Sequence, residues 1–293
     1  MTQPPSILLF FRMLRWNLKS LPLWWRVFLT TALFAFVGWR STRDAIALAN
    51  TLQPPTIVNV WDAIFISLAG PDIWNSSLLA MLPWFLSHTL FFYLVGDFAN
   101  GELLRMGYTV IPLVGSRLQW WIGKATALFV LAFGYTTIGF LTILTISSAW
   151  LPWSWQKSDL ISAGTLWPLP ETLGIAGLLG WAVLLFISTL VALAYVQTTL
   201  AIIWRHSFYG FFSIVAIIIL SWLFGTGNLL LVRWLPGSQS MLLRHTFFDP
   251  VVPGFPLEWS LIYNIALALI AIGLGAWLTQ HTDIFGCTAM ESR

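Results

Sequence analysis

Histidine offers most of the chemistry available in this 293-residue chain. The four histidines are isolated in sequence, so none belongs to an HExxH pattern, which would place two imidazoles on one helix face to bind zinc. Only His88 lies near the middle of a long apolar segment, where an ionisable side chain is unfavourable without a partner. We therefore treat it as a candidate functional residue. The alternative is a neutral histidine bonded to a neighbouring helix.

Motifs for nucleotide and ester chemistry are missing from the sequence. Gly123 and Lys124 are followed by Ala125, and position 118 is Leu118, so the GxxxxGK[ST] loop that cradles phosphates does not occur. The chain has no GxSxG nucleophile elbow, and its apolar segments hold no paired carboxylates. We predict that the chain is not itself an enzyme, with no catalytic residue, no metal ion and no cofactor of its own.

The composition is that of a polytopic membrane protein. Hydrophobic residues make up 58% of the chain and charged residues 9%, whereas soluble domains have about 25% charged residues. The net charge of +3 is small and dispersed, which argues against nucleic acid as a partner. Six segments have the roughly 20 apolar residues that a membrane span requires. They are residues 24–48, 78–96, 122–147, 174–201, 208–230 and 259–279.

The distribution of positive charge predicts the orientation of these spans. With both termini inside, nine Lys and Arg residues lie on the cytoplasmic side and five on the outer side. The sequence therefore predicts one all-α transmembrane domain over residues 1–293, with both termini in the cytoplasm. Arg40, Arg43 and Asp44 lie in the outer half of the first span, which favours an end near Trp39 and a polar extension over 40–50.

Three segments outside the spans have a distinct character. Residues 6–21 place three cations on one helix face and four apolar side chains on another, typical of an amphipathic helix on the cytoplasmic membrane surface. The alternative is an extension of the first span. Segment 56–74 is too short and too polar to cross, so we expect it to dip into the outer leaflet or pack on it. Segment 231–258 is predicted to be a Pro-rich extracellular loop, and the 19 tryptophans suit aromatic belts.

Glycines within the spans predict close helix contacts. Gly174, Gly177 and Gly180 recur every three residues in the fourth span, a spacing that lets another helix backbone approach. Gly134 and Gly139 in the third span, and Gly273 and Gly275 in the sixth, are weaker cases of the same pattern.

The polar segment 97–124 is predicted to be a cytoplasmic loop that carries a short helix. Asn100 is a good N-cap, Glu102 favours the first turn, and Pro112 stops the helix. Arg117 and Lys124 are expected to anchor the next span at the inner headgroups. The alternatives are a docking site for a partner or an inert connector, and the length of the loop favours the partner site.

This loop and the topology together resemble the permease subunit of type 2 ABC transporters. The residues that carry the resemblance loosely follow the family pattern E-x-x-x-G, then P-x-S-R, then G-K; here they are Asp97, Gly101, Glu102, Pro112, Ser116, Arg117, Gly123 and Lys124. The resemblance implies six transmembrane helices, an N-terminal elbow helix over 6–21, a coupling helix within 97–124 and partly re-entrant extracellular segments. It also implies the plasma membrane of a bacterium.

The resemblance further implies the partners and the site residues. Two copies of a separate P-loop ATPase would carry ATP and Mg, and a second permease protomer, identical or related, would complete the pathway within the lipid bilayer. The residues expected to couple to the ATPase are Glu102, Leu103, Arg105, Met106 and Tyr108. Those expected along the substrate pathway are His88, Phe91, Phe92, Phe211 and Phe212.

The expected cargo is hydrophobic or amphipathic, such as an antimicrobial peptide or a drug, exported for efflux or self-immunity. A polysaccharide or lipid-linked cargo is the alternative within the family. Outside it, the chain would be a non-transporting scaffold or sensor subunit. A secondary transporter is disfavoured, because no internal repeat is evident.

Overall fold

The computed structural model describes residues 14–17, 23–51, 57–71, 78–98, 101, 111, 116–156, 158, 174–247 and 254–281. Over these residues the chain is helical and has no β-strand, which confirms the all-α class. The helices are α1 (Leu23–Thr51), α2 (Val60–Ala69), α3 (Leu78–Val95), α4 (Arg117–Ser148), α5 (Ile175–Ile203), α6 (Ser207–Gly225), α7 (Leu229–Val232) and α8 (Leu257–His281). Two 3-10 turns, Pro236–Ser240 and Leu242–Arg244, lie between α7 and α8.

Four of the described helices are long and apolar enough to cross a membrane, namely α4, α5, α6 and α8. The protein is therefore membrane-embedded. Helices α1 and α3 correspond to the other two predicted spans. Helix α1 continues past Trp39 to Thr51, and within its polar extension Arg40 Nε and Asp44 Oδ2 form an ion pair one turn apart, at 2.9 Å.

Contacts between helix ends show how the long helices run. Thr42 Oγ1, late in α1, donates to Ser147 Oγ at the end of α4, 3.0 Å away. At the opposite end of the bundle, Ser207 at the start of α6 donates to Asp97 just after α3. Successive long helices therefore run in opposite directions, with α5 packed against α4, α6 and α8. We call the end that carries Ser147 the plug end and the end that carries Asp97 the loop end.

Helix α2 fills the plug end of the bundle, packed against α1, α4 and α5. Its start is capped reciprocally, because Asn59 Oδ1 accepts the Trp61 N–H and Asp62 Oδ2 accepts the Asn59 N–H at 2.7 Å. Gly70, at φ 68°, ends the helix in a conformation that favours glycine. Burial raises the pKa of Asp62 to about 6. The segment predicted to dip or pack is thus a buried helix.

Among the predicted glycines, close contacts within the described chain occur at two of the weaker cases, while Gly134 and Gly273 meet nothing within 4 Å. A Cβ atom added at Gly174 or Gly180 would meet nothing within 4 Å in the described chain. At Gly139 it would lie 2.6 Å from the Phe34 ring, and at Gly275 2.1 Å from the Trp121 ring. At these two positions the close contact is a glycine against an aromatic ring, which the spacing of small residues does not reveal.

Candidate functional site

Several buried polar side chains lie together in residues 229–247, which we call the plug. This segment was predicted to be an extracellular loop, but it turns back into the bundle and packs against α5, α6 and α8. Asn228 caps α7 by accepting the Leu231 N–H, and Pro236 opens the first 3-10 turn. Ser238, Gln239 and Ser240 are each no more than 1% exposed. The plug thus brings a polar layer inside an apolar bundle.

His88 is held by the plug. Its Nδ1–H donates to the Trp84 carbonyl one turn earlier in α3, at 2.8 Å. Its Nε2 lies 3.0 Å from Ser240 Oγ and accepts the serine hydroxyl proton. Ser240 Oγ in turn accepts the Trp84 indole N–H at 3.2 Å. The geometry fits a neutral histidine, and its partner is a 3-10 turn of the plug rather than the neighbouring helix that the sequence suggested.

Arg244 joins the plug to the end of α6. Its side chain is fully buried, and Nη1 donates to the Ser221 carbonyl at 3.0 Å and to Ser238 Oγ at 2.7 Å. Nη2 reaches the Trp222 carbonyl at 3.4 Å. These carbonyls lie near the C-terminal end of α6, where the helix carries partial negative charge, so a guanidinium stabilises them. A Cβ atom at Gly225 would lie 2.1 Å from Nη1, so a larger residue there would displace the guanidinium.

His245 joins the plug to α8. Its Nδ1–H donates to the Met241 carbonyl at 3.1 Å, and its Nε2 lies 2.7 Å from Ser260 Oγ on α8. Ser260 Oγ is also 2.8 Å from Gln239 Oε1. Because a serine has one hydroxyl proton, Ser260 donates to only one of these acceptors at a time. Burial, with a smaller contribution from the charge of Arg244, lowers the pKa of His245 to about 4, so the ring is neutral near pH 7.

The substrate-pathway residues predicted from sequence do not share one surface in this chain. His88, Phe91 and Phe92 are all buried in the bundle, where the Phe91 ring centroid is 5.1 Å from that of Tyr135. Phe211 is half-buried, and Phe212 is 48% exposed on the outside of α6. The pathway assignment stays a prediction.

The residues predicted to couple to an ATPase lie outside the described part of the chain; they are Glu102, Leu103, Arg105, Met106 and Tyr108. The ends of the loop that holds them are described. The Asp97 carboxylate accepts the Ser207 hydroxyl at 2.8 Å. Arg117 Nη1 donates to the Gln280 carbonyl at the end of α8, 2.9 Å away. Both ends of the loop are therefore attached to other helices.

Lys124 does not have the predicted role of a headgroup anchor. It is 1% exposed, and its ammonium donates to the Phe98 carbonyl at 3.3 Å. The same nitrogen lies 4.1 Å from the Phe98 ring centroid and 5.8 Å from those of Trp16 and Trp120. Aromatic faces attract a desolvated cation. The charge therefore fixes the start of α4 to the end of α3 instead of reaching the lipid surface.

Sequence reasoning missed most of the polar layer. Four members of this layer lie in one short stretch of segment 231–258; they are Gln239, Ser240, Arg244 and His245. The sequence signal for them is that polar residues recur between apolar ones in this stretch. In the described part of the chain, no group of three or more His, Cys, Asp or Glu side chains is placed to hold a metal ion. No protein-family model and no curated protein matches this chain.

Proposed function

We propose that this chain is the membrane-spanning subunit of an ATP-driven ABC exporter. In this proposal six helices cross the plasma membrane of a bacterium, α1 and α3 among them, with both termini in the cytoplasm. Residues 6–21 form an elbow helix, and two copies of a separate P-loop ATPase bind ATP and Mg and dock on the loop 97–124. Two permease protomers form the pathway.

The attachment of the loop 97–124 at both ends is the observation that carries the proposal. Asp97 is bonded to Ser207 at the start of α6, and Arg117 to the end of α8. A segment that transmits force must be fixed to what it moves, because a flexible connector absorbs displacement in its own dihedral angles. A push on this loop would therefore reach α6 and α8, the two helices that flank the plug.

The plug supplies an element that such a movement would open. Arg244 bonds it to α6, and His245 places it beside Ser260 on α8. Separation of α6 from α8 would break these contacts together and uncover polar groups that line a path for cargo. In the described structure these groups are buried, which is consistent with a closed pathway in this proposal.

The cargo we propose is hydrophobic or amphipathic, such as an antimicrobial peptide or a drug. Large apolar side chains on α6 are exposed, among them Phe208, Phe212 and Phe224. If two protomers meet along α6, as we propose, this apolar surface lines the pathway and suits an apolar cargo better than a sugar chain. A polysaccharide or lipid-linked cargo is the alternative, and a scaffold or sensor subunit is the alternative of another class.

Docking is tested by a pull-down with the P-loop ATPase that the proposal expects to be encoded beside the gene for this chain. We expect Leu103→Asp and Arg105→Glu to abolish co-purification, because each would reverse the apolar or charged character of the proposed docking helix. Arg43→Glu is the matched control, since Arg43 is exposed in α1 near the plug end. Undiminished complex formation by both loop variants would exclude the coupling role. Absence of an ATPase gene beside the gene for this chain would favour the alternative of a scaffold or sensor subunit.

Cargo class is tested by ATPase activity of the complex in proteoliposomes. We expect cationic amphipathic peptides to stimulate hydrolysis and soluble oligosaccharides to leave it unchanged. The reverse pattern would support the polysaccharide alternative.

A further inference from the structure

A lateral groove between α1, α3 and α4 has the shape and lining of a lipid site. It encloses a cavity of about 220 Å³. The lining is almost wholly apolar, with Val27 from α1, Leu94 from α3 and Ile138 from α4 as typical members. Val27 is 42% exposed, so the groove opens to the outside of the bundle rather than to its core. In a membrane-embedded chain the medium on that side is lipid.

One cation sits at the end of this groove. Arg26 lines it, and its Nε and Nη1 atoms are shielded from solvent without a hydrogen-bond partner among the described residues. Asp97 is near enough to interact with Arg26 electrostatically, but its carboxylate accepts the Ser207 hydroxyl and makes no ion pair with Arg26 within the described structure. Guanidinium N–H groups that are shielded from water and have no acceptor are unfavourable. The site therefore calls for an external anion.

The interior of the groove is open at Gly134. A Cβ atom added there would meet nothing within 4 Å, although Gly134 lies in the middle of α4 and lines the cavity. Arg26 is the fourth residue of α1, so it lies within about 5 Å of the helix start along the axis. The groove therefore has a cation at one end and an apolar channel along the helices. A phospholipid has the matching layout, with a phosphate at one end and acyl chains beyond it.

We propose that this groove binds one anionic phospholipid, with its phosphate on Arg26 and one acyl chain along α1, α3 and α4. A guanidinium offers paired donors that match phosphate oxygens, which gives a charge-assisted and oriented contact. The net negative charge of the lipid distinguishes it from a zwitterionic one, whose own ammonium competes for the same phosphate. This site is independent of the proposed transport function.

Native mass spectrometry of the purified full-length protein, titrated with dioleoyl phosphatidylglycerol or dioleoyl phosphatidylcholine, tests the site. We expect one phosphatidylglycerol bound at least about tenfold more tightly than phosphatidylcholine, since one charge-assisted contact is worth about a factor of ten. Arg26→Gln should remove this preference. Gly134→Leu should fill the groove and lower the affinity for both lipids.

Two control variants separate the site from general lipid adhesion. Arg43→Gln removes an exposed cation from the same helix, and Gly273→Leu adds the same side chain on α8, where a Cβ also meets nothing within 4 Å. Both should bind phosphatidylglycerol as the unaltered protein does, and circular dichroism should show all four variants folded. Equal binding of the two lipids by the unaltered protein, or full phosphatidylglycerol binding by Arg26→Gln, would overturn the proposal. Binding of a second copy of the chain in the groove, in place of the lipid, would also overturn the proposal.

Discussion

The plug and helix α8 follow one another along the chain, and both bury polar side chains, but the plug also buries large apolar ones of the kind that α8 leaves exposed. In the plug, Ser238, Gln239 and Arg244 are 0% exposed. In α8, Leu269 is 64% exposed and Ile262 63%. The buried face of α8 is instead made largely of small and polar residues: Ser260, Asn264, Ala271, Gly275 and Thr279.

The exposure of apolar side chains on α8 follows from the solvent. Lipid tails are about as apolar as leucine, so apolar side chains gain little by leaving them for the protein interior. Polar groups and close-packed backbones gain more, because lipid offers them no hydrogen-bond partner. Hydrophobicity thus places a segment in the membrane without saying which face turns inward. The variants below test whether the plug is held by its polar contacts while α8 tolerates changes.

The largest effect is expected at Arg244. Arg244→Met removes three hydrogen bonds that the guanidinium donates, two of them to the buried Ser221 and Trp222 carbonyls. The free energy of unfolding should therefore fall by about 4 kcal/mol. Thermal unfolding in detergent measures this. Arg233→Met is the control in the same segment, because the Arg233 side chain is exposed, and it should change stability by less than about 0.5 kcal/mol. Equal effects of the two variants would mean that the guanidinium contacts are unimportant.

A matched pair of leucines tests the contrast between the plug and α8 directly. Leu242 in the plug is 1% exposed and Leu269 on α8 is 64% exposed. Leu242→Ala leaves a cavity and should lower the free energy of unfolding by about 3 kcal/mol. Leu269→Ala should lower it by less than about 0.5 kcal/mol, because lipid or detergent replaces the lost contacts. Chemical denaturation of both variants measures the difference, and similar losses would contradict the contrast between the two regions.

A pair of glycines tests the fit between the plug and α6. Gly225→Ala would place a Cβ atom 2.1 Å from Arg244 Nη1, and displacing that buried side chain should lower the free energy of unfolding by about 2 kcal/mol. Gly273→Ala on α8 meets nothing within 4 Å and should be neutral or slightly stabilising, since alanine favours helix. A neutral Gly225→Ala would show that Arg244 is not fixed where the structure places it.

The smallest effect is a pH dependence from His245. Its folded-state pKa of about 4 lies below the usual 6.5, so the unfolded chain binds the extra proton more readily. The His245 contribution is complete above about pH 6.5 and is lost progressively as the pH falls toward 4. By pH 5.5 the loss should be about 1 kcal/mol. His245→Gln should flatten this part of the stability curve, whereas His281→Gln, at an exposed site, should not. Identical curves for His245→Gln and the unaltered protein would contradict a buried neutral ring.

Much of the architecture was predictable from sequence because it depends on local composition. Long apolar runs predict helices, since a backbone in lipid must satisfy its own hydrogen bonds, and the bounds of α5 and α6 lie close to the predicted spans. The shortness and polarity of segment 56–74 predicted that it does not cross, and it forms the short buried helix α2. These inferences need no knowledge of which segments meet.

The candidate site was not predictable in the same way. His88 and Ser240 are 152 residues apart in the chain, and no local pattern pairs them. Lys124 has the sequence context of a headgroup anchor, and only the position of Phe98, Trp16 and Trp120 around it makes burial favourable. Sequence alone determined that this chain is helical and membrane-embedded, because both properties follow from the free energy of moving each segment into lipid. The tertiary structure decided where the plug lies and which polar groups share partners, because the pairing of buried donors and acceptors depends on contacts between distant segments.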